Sequence, residues 1–432
     1  MGVGYDFVTL VIHAYFAFIH VVFSTINLFV KKQHVPAPSD DLVMLSATSA
    51  VEKIKERKIR PSQLVEAYIH RIEQLIQRRP LYGVPFSCKD SMEVKGQIVT
   101  IGMECRKDYR CERTATVIQR MRNAGGILIA ITNVPELCSW VESTNVVYGR
   151  SNNPYDLRRI VGGSSGGEGA LISAAGTPVG VGSDVGGSIR IPCFVNGIFG
   201  LMPTPDVIPL EGNVPEALCY KRQMLRDGPM CRYMEDLPLL YKVWHTPTIL
   251  AGENFADLRI DEPVDFYRCR IFYLTGIPNP MIEPVGDQMF ETLMNAVSHF
   301  EKKFDLEGVG LDLPLAAQHF SFYSASLEGN ISTRKKLMSL KGDAGEIKLW
   351  SEFLNWLMGK SKHRFAMIMI AAMEALGGSA SPESKAEVPS NIFFSIFIIE
   401  SRMCTQSLRV RDRLKRQIVE TLGDSGIMFF PS

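Results

Sequence analysis

Residues 161–192 have the sequence VGGSSGGEGALISAAGTPVGVGSDVGGSIRIP, in which glycine and serine surround a helix-like segment (170–175) and a strand-like segment (177–185). Glycine-rich turns beside a helix start can present several backbone N–H groups to one anion, either a phosphate or the oxyanion of an acyl-transfer reaction. A flexible linker is disfavoured, because it would not enclose an apolar helix and strand. The stretch therefore predicts a functional turn inside an ordered α/β domain.

Two familiar glycine motifs fit this stretch poorly. The phosphate motif GxxxxGK[ST] is absent, and the glycines at 180, 182 and 186 are one residue too far apart for GxGxxG. GxSxG occurs at 162–166 and at 163–167, but a nucleophile elbow must follow a buried strand. The preceding residues are NPYDLRRIV (153–161), with two arginines where that strand should be apolar. Both interpretations are therefore disfavoured.

A serine with a lysine base is the third interpretation. Ser188 follows Gly186 and Gly187 at the end of a turn whose N–H groups can converge on one point, as an oxyanion hole requires. No histidine lies near these motifs, so the base must be a lysine whose pKa burial lowers from about 10.4 towards roughly 7 to 8. Lys89 follows the apolar run GVPFSC (83–88), which places it at the tip of a buried strand. From the residue alone, a solvated surface lysine remains the alternative.

Several motifs occur together in the order and spacing of a known enzyme family. They are GVPFSCKD (83–90), TNVPE (132–136), YGRSNNPYD (148–156), GGSSGGEGAL (162–171), GVGSDVGGSIRIP (180–192) and NGIFGLMPT (196–204). This combination resembles the amidase signature family, from about Leu42 to the last residue. The resemblance implies an α/β fold in which α-helices sandwich a mixed central β-sheet.

The resemblance also implies a catalytic relay. Ser188 would be the acylated nucleophile, Ser164 a bridging serine held by a cis peptide bond, and Lys89 the base. Lys89 would take the proton of Ser164, which takes that of Ser188, and the reverse relay would protonate the leaving nitrogen. Neither a metal nor an organic cofactor is expected.

The turn before the nucleophile has an implied role of its own. The resemblance assigns the oxyanion hole to the backbone N–H groups of Val185, Gly186, Gly187 and Ser188. Asp184 and Arg190 flank this turn, and we expect them to orient it.

The N-terminus differs in character from the rest of the chain. Residues 7–30 are 24 residues without Asp, Glu, Lys or Arg, more than the roughly 20 that a helix needs to cross a bilayer. The basic pair Lys31-Lys32 follows this run, which favours an uncleaved single-pass anchor with the bulk of the chain in the cytosol, at the endoplasmic reticulum or a lipid-droplet surface. His13, His20 and Asn27 interrupt it, so an interfacial helix is the alternative. We expect an anchor over residues 1–32, a linker over 33–41 and an amidase signature domain over 42–432.

Composition excludes several other classes of protein. Lys plus Arg number 47 against 46 Asp plus Glu, so the net charge of +1 provides no broad basic surface for nucleic acid. The nine cysteines form no CxxC pair, which disfavours a disulfide scaffold or a zinc ribbon and favours a reducing compartment. The expected partners are a lipid amide substrate and the membrane, and a homodimer is left open.

Outside the motifs, periodicity and breakers predict the remaining elements. Helices are predicted over 61–80, 114–123, 285–303, 365–376 and 392–399, the last two buried, and strands over 127–132, 269–274 and 427–432.

Three departures from the family pattern accompany the resemblance. The helix ending near Arg79 runs almost directly into the lysine strand, where the family has a further helical stretch, and the part that normally follows MFFPS (428–432) is missing. Met202 replaces a basic residue.

Within the family, residues 208–215 and 228–238 look most like the members that act on fatty-acid amides. The sequence thus predicts a membrane-anchored serine hydrolase of fatty-acid amides, and leaves open a silent truncated membrane-tethered homologue or a small-amide or glutamine-type amidase.

Overall fold

A computed structural model describes residues 21, 25, 40–45, 47–67, 79–216, 219–245, 260–277, 284–319, 347–376 and 407–431. The chain divides into two compact units, Met1–Arg79 and Pro80–Ser432. In the N-terminal unit a 3-10 helix spans Asp41–Met44, an α-helix spans Ala47–Lys55, and residues 61–67 are helical. Apart from Val21 and Thr25, the predicted anchor of residues 7–30 lies outside the described residues. Among the helices that are described, none is both long and apolar enough to cross a bilayer.

A five-stranded mixed sheet organises the larger unit. In sheet order its strands are β2, β1, β5, β7 and β6. The first three are parallel to one another, whereas β7 is antiparallel to both of its neighbours. Their bounds are β1 (Pro85–Lys89), β2 (Ile127–Thr132), β5 (Val179–Asp184), β6 (Phe199–Gly200) and β7 (Arg226–Cys231), with a small hairpin of β3 (Thr144–Asn145) and β4 (Gly149–Arg150) between β2 and β5.

Helices pack on both faces of this sheet. Phe86 and Cys88 of β1 contact one cluster of buried apolar side chains, while Ser87 and Lys89 alternate to the opposite face. The first cluster includes side chains of α1 (Thr116–Asn123) and α5 (Asp236–Trp244). The cluster on the other face includes α2 (Gly166–Ser173) and α3 (Arg190–Asn196). The predicted sheet between layers of helices is therefore confirmed.

The other described elements complete the unit. A separate three-stranded parallel sheet has the order β10, β8, β9. Its strands are β8 (Arg270–Tyr273), β9 (Gly308–Gly310) and β10 (Gly426–Phe429). The remaining helices are α4 (Cys219–Met224), α6 (Asp287–Phe304), α7 (Leu349–Leu357), α8 (Phe365–Leu376) and α9 (407–422), with 3-10 turns at Glu104–Arg106, Glu136–Cys138, Phe266–Arg268 and Pro314–Gln318.

One predicted buried helix is only half buried. α8 buries Met367, Ile368 and Ala371, but it exposes about two-fifths of Phe365 and Met369. The apolar composition of α8 therefore predicts burial correctly for the face of Met367, Ile368 and Ala371, but not for the opposite face. The other predicted buried helix, residues 392–399, lies outside the described residues.

Candidate active site

Lys89 is a buried lysine at the end of a core strand. It is the last residue of β1 and is only 1% exposed. Its ammonium nitrogen, Nζ, lies 2.7 Å from Ser164 Oγ, 3.0 Å from Ser183 Oγ and 3.1 Å from the Ser183 carbonyl oxygen. The apolar run that predicts a strand ending at this lysine is thus confirmed, and the solvated alternative does not hold.

These three contacts suit a neutral amine. Burial lowers the pKa of Lys89 below its ordinary value, and the negative charges that nearby acidic side chains can carry oppose this shift only in part. A neutral amine has two N–H donors and one lone pair. The Ser183 oxygens can accept both donors, which leaves the lone pair for the Ser164 hydroxyl proton.

Ser164 is held by the backbone of a glycine-rich turn. The Gly163–Ser164 peptide bond is cis, as the resemblance implies, and Ser164 is 1% exposed. Any side chain at Gly163 would overlap the Trp140 carbonyl oxygen, so only glycine allows this close approach. α2 begins two residues later, at Gly166. The local sequence GGSSGG therefore delivers Ser164 to the tip of β1.

Asp184 organises the turn between β5 and α3. Its carboxylate accepts hydrogen bonds from the backbone N–H of Gly187 (2.7 Å) and Ile189 (2.9 Å). Arg190 adds a two-pronged contact, with Nε 3.1 Å from Oδ2 and Nη2 3.0 Å from Oδ1. Burial raises the pKa of Asp184, but Arg190 and the backbone donors outweigh it and lower that pKa below its ordinary value. Asp184 and Arg190 therefore flank the turn in the way that the sequence predicts.

The turn between β5 and α3 carries the four backbone N–H groups that the resemblance assigns to an oxyanion hole. Gly187 has a φ of +118° and its N–H donates to Asp184, so this donor is already used. Within the described residues, the N–H groups of Val185, Gly186 and Ser188 donate no hydrogen bond. Three of these four N–H groups therefore have no acceptor among the described residues.

Ser188 lies next to the turn that carries Ser164, but the two hydroxyl groups are not hydrogen-bonded to each other. Its carbonyl accepts a hydrogen bond from Ser165 N–H at 3.1 Å, so the two motifs are in contact. In the part of the chain that is described, the Ser188 hydroxyl makes no hydrogen bond, and none joins it to the Ser164 hydroxyl. Of the three predicted catalytic residues, the structure joins Lys89 and Ser164 by a hydrogen bond, whereas Ser188 is not hydrogen-bonded to either through its side chain.

Two buried carboxyl groups near Lys89 are not predicted from the sequence. Glu168 and Asp227 are both fully buried, and burial raises the pKa of each to about 7. Glu168 is the single charged residue between 161 and 183, a signal that could have found it. Asp227 directly precedes a Gly-Pro pair and carries no comparable signal. Among described residues, no cluster of three or more metal-binding side chains occurs.

Fold and site together define a class of protein. A mixed sheet between helices, with a buried lysine against a serine hydroxyl and a glycine-rich turn, is the arrangement of an amidase-signature hydrolase. The chain belongs to the amidase family, whose sequence profile matches residues 62–372, and it is an amide hydrolase.

Known proteins similar to the chain agree with this assignment. It is 31% identical to human fatty-acid amide hydrolase 2, over 92% of this chain and 78% of the relative, and 30% identical to fatty-acid amide hydrolase 2-A of Danio rerio, over 96% and 82%. Among solved structures, a fatty acid amide hydrolase superposes with a TM-score of 0.56 at 19% identity, over 90% of this chain and 72% of that one. A substrate complex of 6-aminohexanoate cyclic dimer hydrolase gives 0.55 at 23% identity, over 85% and 77%. These structural likenesses show the fold.

Proposed function

We propose that this chain is a membrane-anchored serine hydrolase that cleaves fatty-acid amides to a fatty acid and an amine or ammonia. Its similarity to fatty-acid amide hydrolases 2 over more than nine-tenths of its length supports the substrate class. The uncharged run at residues 7–30 supports an anchor that keeps the site where lipid amides dissolve. The same proposal places a single-pass anchor at residues 1–32, a linker at 33–41 and the amidase signature domain at 42–432. The bulk of the chain then lies on the cytosolic side of the bilayer.

The observation that carries the mechanism is the buried contact of 2.7 Å between Lys89 Nζ and Ser164 Oγ. Neutral Lys89 takes the Ser164 proton as Ser164 takes the Ser188 proton, and Ser188 Oγ bonds to the amide carbon. The proton then returns through Ser164 to the leaving nitrogen as the C–N bond breaks, so an amine departs rather than an amide anion. Water, activated by the same relay, releases the fatty acid.

The turn after β5 supplies electrostatic stabilisation in this proposal. The unengaged N–H groups of Val185, Gly186 and Ser188 bind the oxyanion that forms on the carbonyl oxygen. Asp184 stabilises this turn by accepting hydrogen bonds from the Gly187 N–H and from Arg190. The proposal requires the Ser188 hydroxyl to turn towards Ser164 when substrate binds, while Ser164 keeps its contact with Lys89.

A fluorophosphonate probe tests the nucleophile directly. We expect it to label the full chain, and we expect Ser188→Ala to abolish labelling. Ser164→Ala should slow labelling while the adduct stays on Ser188, because Ser164 passes protons and never bonds to the acyl group. A stable adduct mapped to Ser164 would reverse the two roles. No labelling of well-folded protein would support a silent homologue.

Turnover of oleamide against acetamide tests the substrate class. A long-chain amidase should favour oleamide strongly in kcat/KM, because burying an acyl chain contributes about 0.8 kcal/mol for each CH2. Equal turnover of the two amides would instead indicate the small-amide alternative.

A further inference from the structure

Glu168 is a buried carboxyl group that the relay does not use. It lies in the first turn of α2, four residues after Ser164, and is fully buried. A carboxylate with no role is costly to bury, because ionised groups lose their hydration in a protein interior. Its surroundings show how it is retained.

Two hydroxyl groups on neighbouring strands point at this carboxyl group. Ser87 Oγ donates to Oε2 and Thr132 Oγ1 donates to Oε1, each at 2.6 Å. Ser87 precedes Lys89 by two residues on β1, so both side chains lie on the same face of the sheet. Thr132 is the β2 residue paired with Lys89 in the parallel register. Glu168 therefore links β1 and β2 to α2 through hydrogen bonds close to Lys89.

The third strand leaves room for this carboxyl group. Gly180 of β5 pairs with Ser87, and a methyl group added there would overlap Glu168 Oε2. The glycine is thus required for space rather than for its backbone angles. Three strands and a helix converge on one side chain.

We propose that Glu168 is a positioning residue: it fixes the strand that carries Lys89 against the helix that follows Ser164, and its charge tunes the protonation of Lys89. This inference rests on the proposed function of the Lys89–Ser164 pair. A purely structural link would only hold the two elements together. In this inference the charge of Glu168 also affects the chemistry of Lys89.

The electrostatics are consistent with this role. Burial raises the pKa of Glu168 to about 7, while its two hydroxyl donors and Lys89 hold that pKa down. Glu168 in turn raises the pKa of Lys89, against the dominant effect of burial. The other titratable groups that interact electrostatically with Lys89 are Cys138, Asp184 and Asp227, and those that interact with Glu168 are Cys88 and Cys193.

The test is the pH dependence of kcat/KM for Glu168→Gln, with the rate of fluorophosphonate labelling as a second readout. Glutamine keeps the shape and can bond both hydroxyls, but it carries no charge. Above a pH of about 7 Glu168 is ionised in the unmodified chain, so the loss of its charge lowers the pKa of Lys89 in that range and leaves more of the amine neutral. We expect the acid limb of the profile to move down by about half to one pH unit, with activity above pH 9 within about fivefold of the unmodified chain.

Two further variants separate position from charge. Glu168→Ala removes the link as well as the charge, so it should shift the acid limb as Glu168→Gln does and also lower kcat/KM about a hundredfold on the high-pH plateau, as expected when a relay is displaced by about 1 Å. Thr177→Val is the matched control, because Thr177 Oγ1 lies 3.2 Å from Ser87 Oγ at the far end of the same network and is neutral. It should lower stability yet leave the acid limb where it is in the unmodified chain.

The outcomes distinguish this inference from the function on which it rests. If the unmodified chain neither labels nor hydrolyses an amide, the proposed function and the inference both fail. If it does both, and the pH profile of kcat/KM for Glu168→Gln has the same acid limb as that of the unmodified chain, the inference alone is overturned. A hundredfold loss of kcat/KM in Glu168→Gln at high pH, with normal thermal unfolding, would also contradict the inference. Glutamine keeps the shape of the side chain, so the position of Lys89 should be preserved in this variant.

Discussion

A lysine serves as a base at neutral pH only when its surroundings favour the uncharged amine. Lys89 meets this condition because it is 1% exposed at the end of a core strand, with Ser183 oxygens to accept its N–H groups. The same burial that destabilises the ammonium ion also fixes the side chain against Ser164. One strand position thus sets both the geometry and the proton affinity of the base.

Replacing Lys89 by alanine should therefore depress acylation strongly and move the pH optimum upward. Without the amine, hydroxide must remove the serine proton, and its concentration rises tenfold with each pH unit. The measurement is kcat/KM for a soluble amide from pH 6 to 10. Lys95→Ala, at an exposed site nearby, is the control and should keep the original profile. An unchanged optimum in Lys89→Ala would argue against the role as base.

Gly180 gives a prediction about stability at the same scale. Gly180→Ala forces a methyl group onto the Glu168 carboxyl group, and overpacking of this kind costs about 1–3 kcal/mol. In a Glu168→Ala background the clash with the carboxyl group is gone and the added methyl group meets only the Ser87 hydroxyl, at 2.9 Å, so most of the cost of the second change should disappear. Urea unfolding of the two single variants and the double variant measures this coupling. Gly276→Ala, where the added methyl group makes only an ordinary contact of 3.7 Å with Val285, should change stability by no more than about 0.5 kcal/mol.

At the scale of elements, the apolar runs account for the strands that form the site. β1 ends at Lys89, β2 spans Ile127–Thr132 and β5 lies within 177–185, all as periodicity and glycine breaks predict. The antiparallel β7 and the Glu168 network are not predictable in this way. Ser87 and Glu168 are 81 residues apart, and such a contact depends on how β1 and α2 are stacked rather than on any local pattern.

The half-buried helix α8 offers an element-scale prediction. Met367 is 2% exposed and packs in a cluster with Val99, Ile101 and Met103, whereas Met369 on the same helix is 41% exposed. Met367→Ala should lower the free energy of unfolding by about 2–4 kcal/mol, through lost burial and the cavity that remains. Met369→Ala is the matched control and should change it by about 0.5 kcal/mol or less. Equal effects in denaturant unfolding would contradict this orientation of the helix.

For the whole molecule, the motifs of the site and the proposed anchor lie in different parts of the sequence. The motifs of the site run from residue 83 to residue 204, and the uncharged segment ends at residue 30. A water-soluble substrate needs only the first of these parts, whereas a lipid amide must also be reached in the bilayer. Catalysis and membrane attachment should therefore be separable by truncation.

Deleting residues 1–32 removes the 24-residue uncharged run and leaves every motif of the site in place. A segment of this length holds a protein in a bilayer far more firmly than a single lipid chain, whose binding is marginal and reversible. Attachment should fall much more than hydrolysis of a soluble amide, and oleamide turnover in vesicles should fall with attachment. Carbonate extraction of the full-length and truncated chains makes the measurement. Release of full-length protein into the supernatant would refute a spanning anchor, and a truncated chain that pellets without aggregating would show that a second surface binds the membrane.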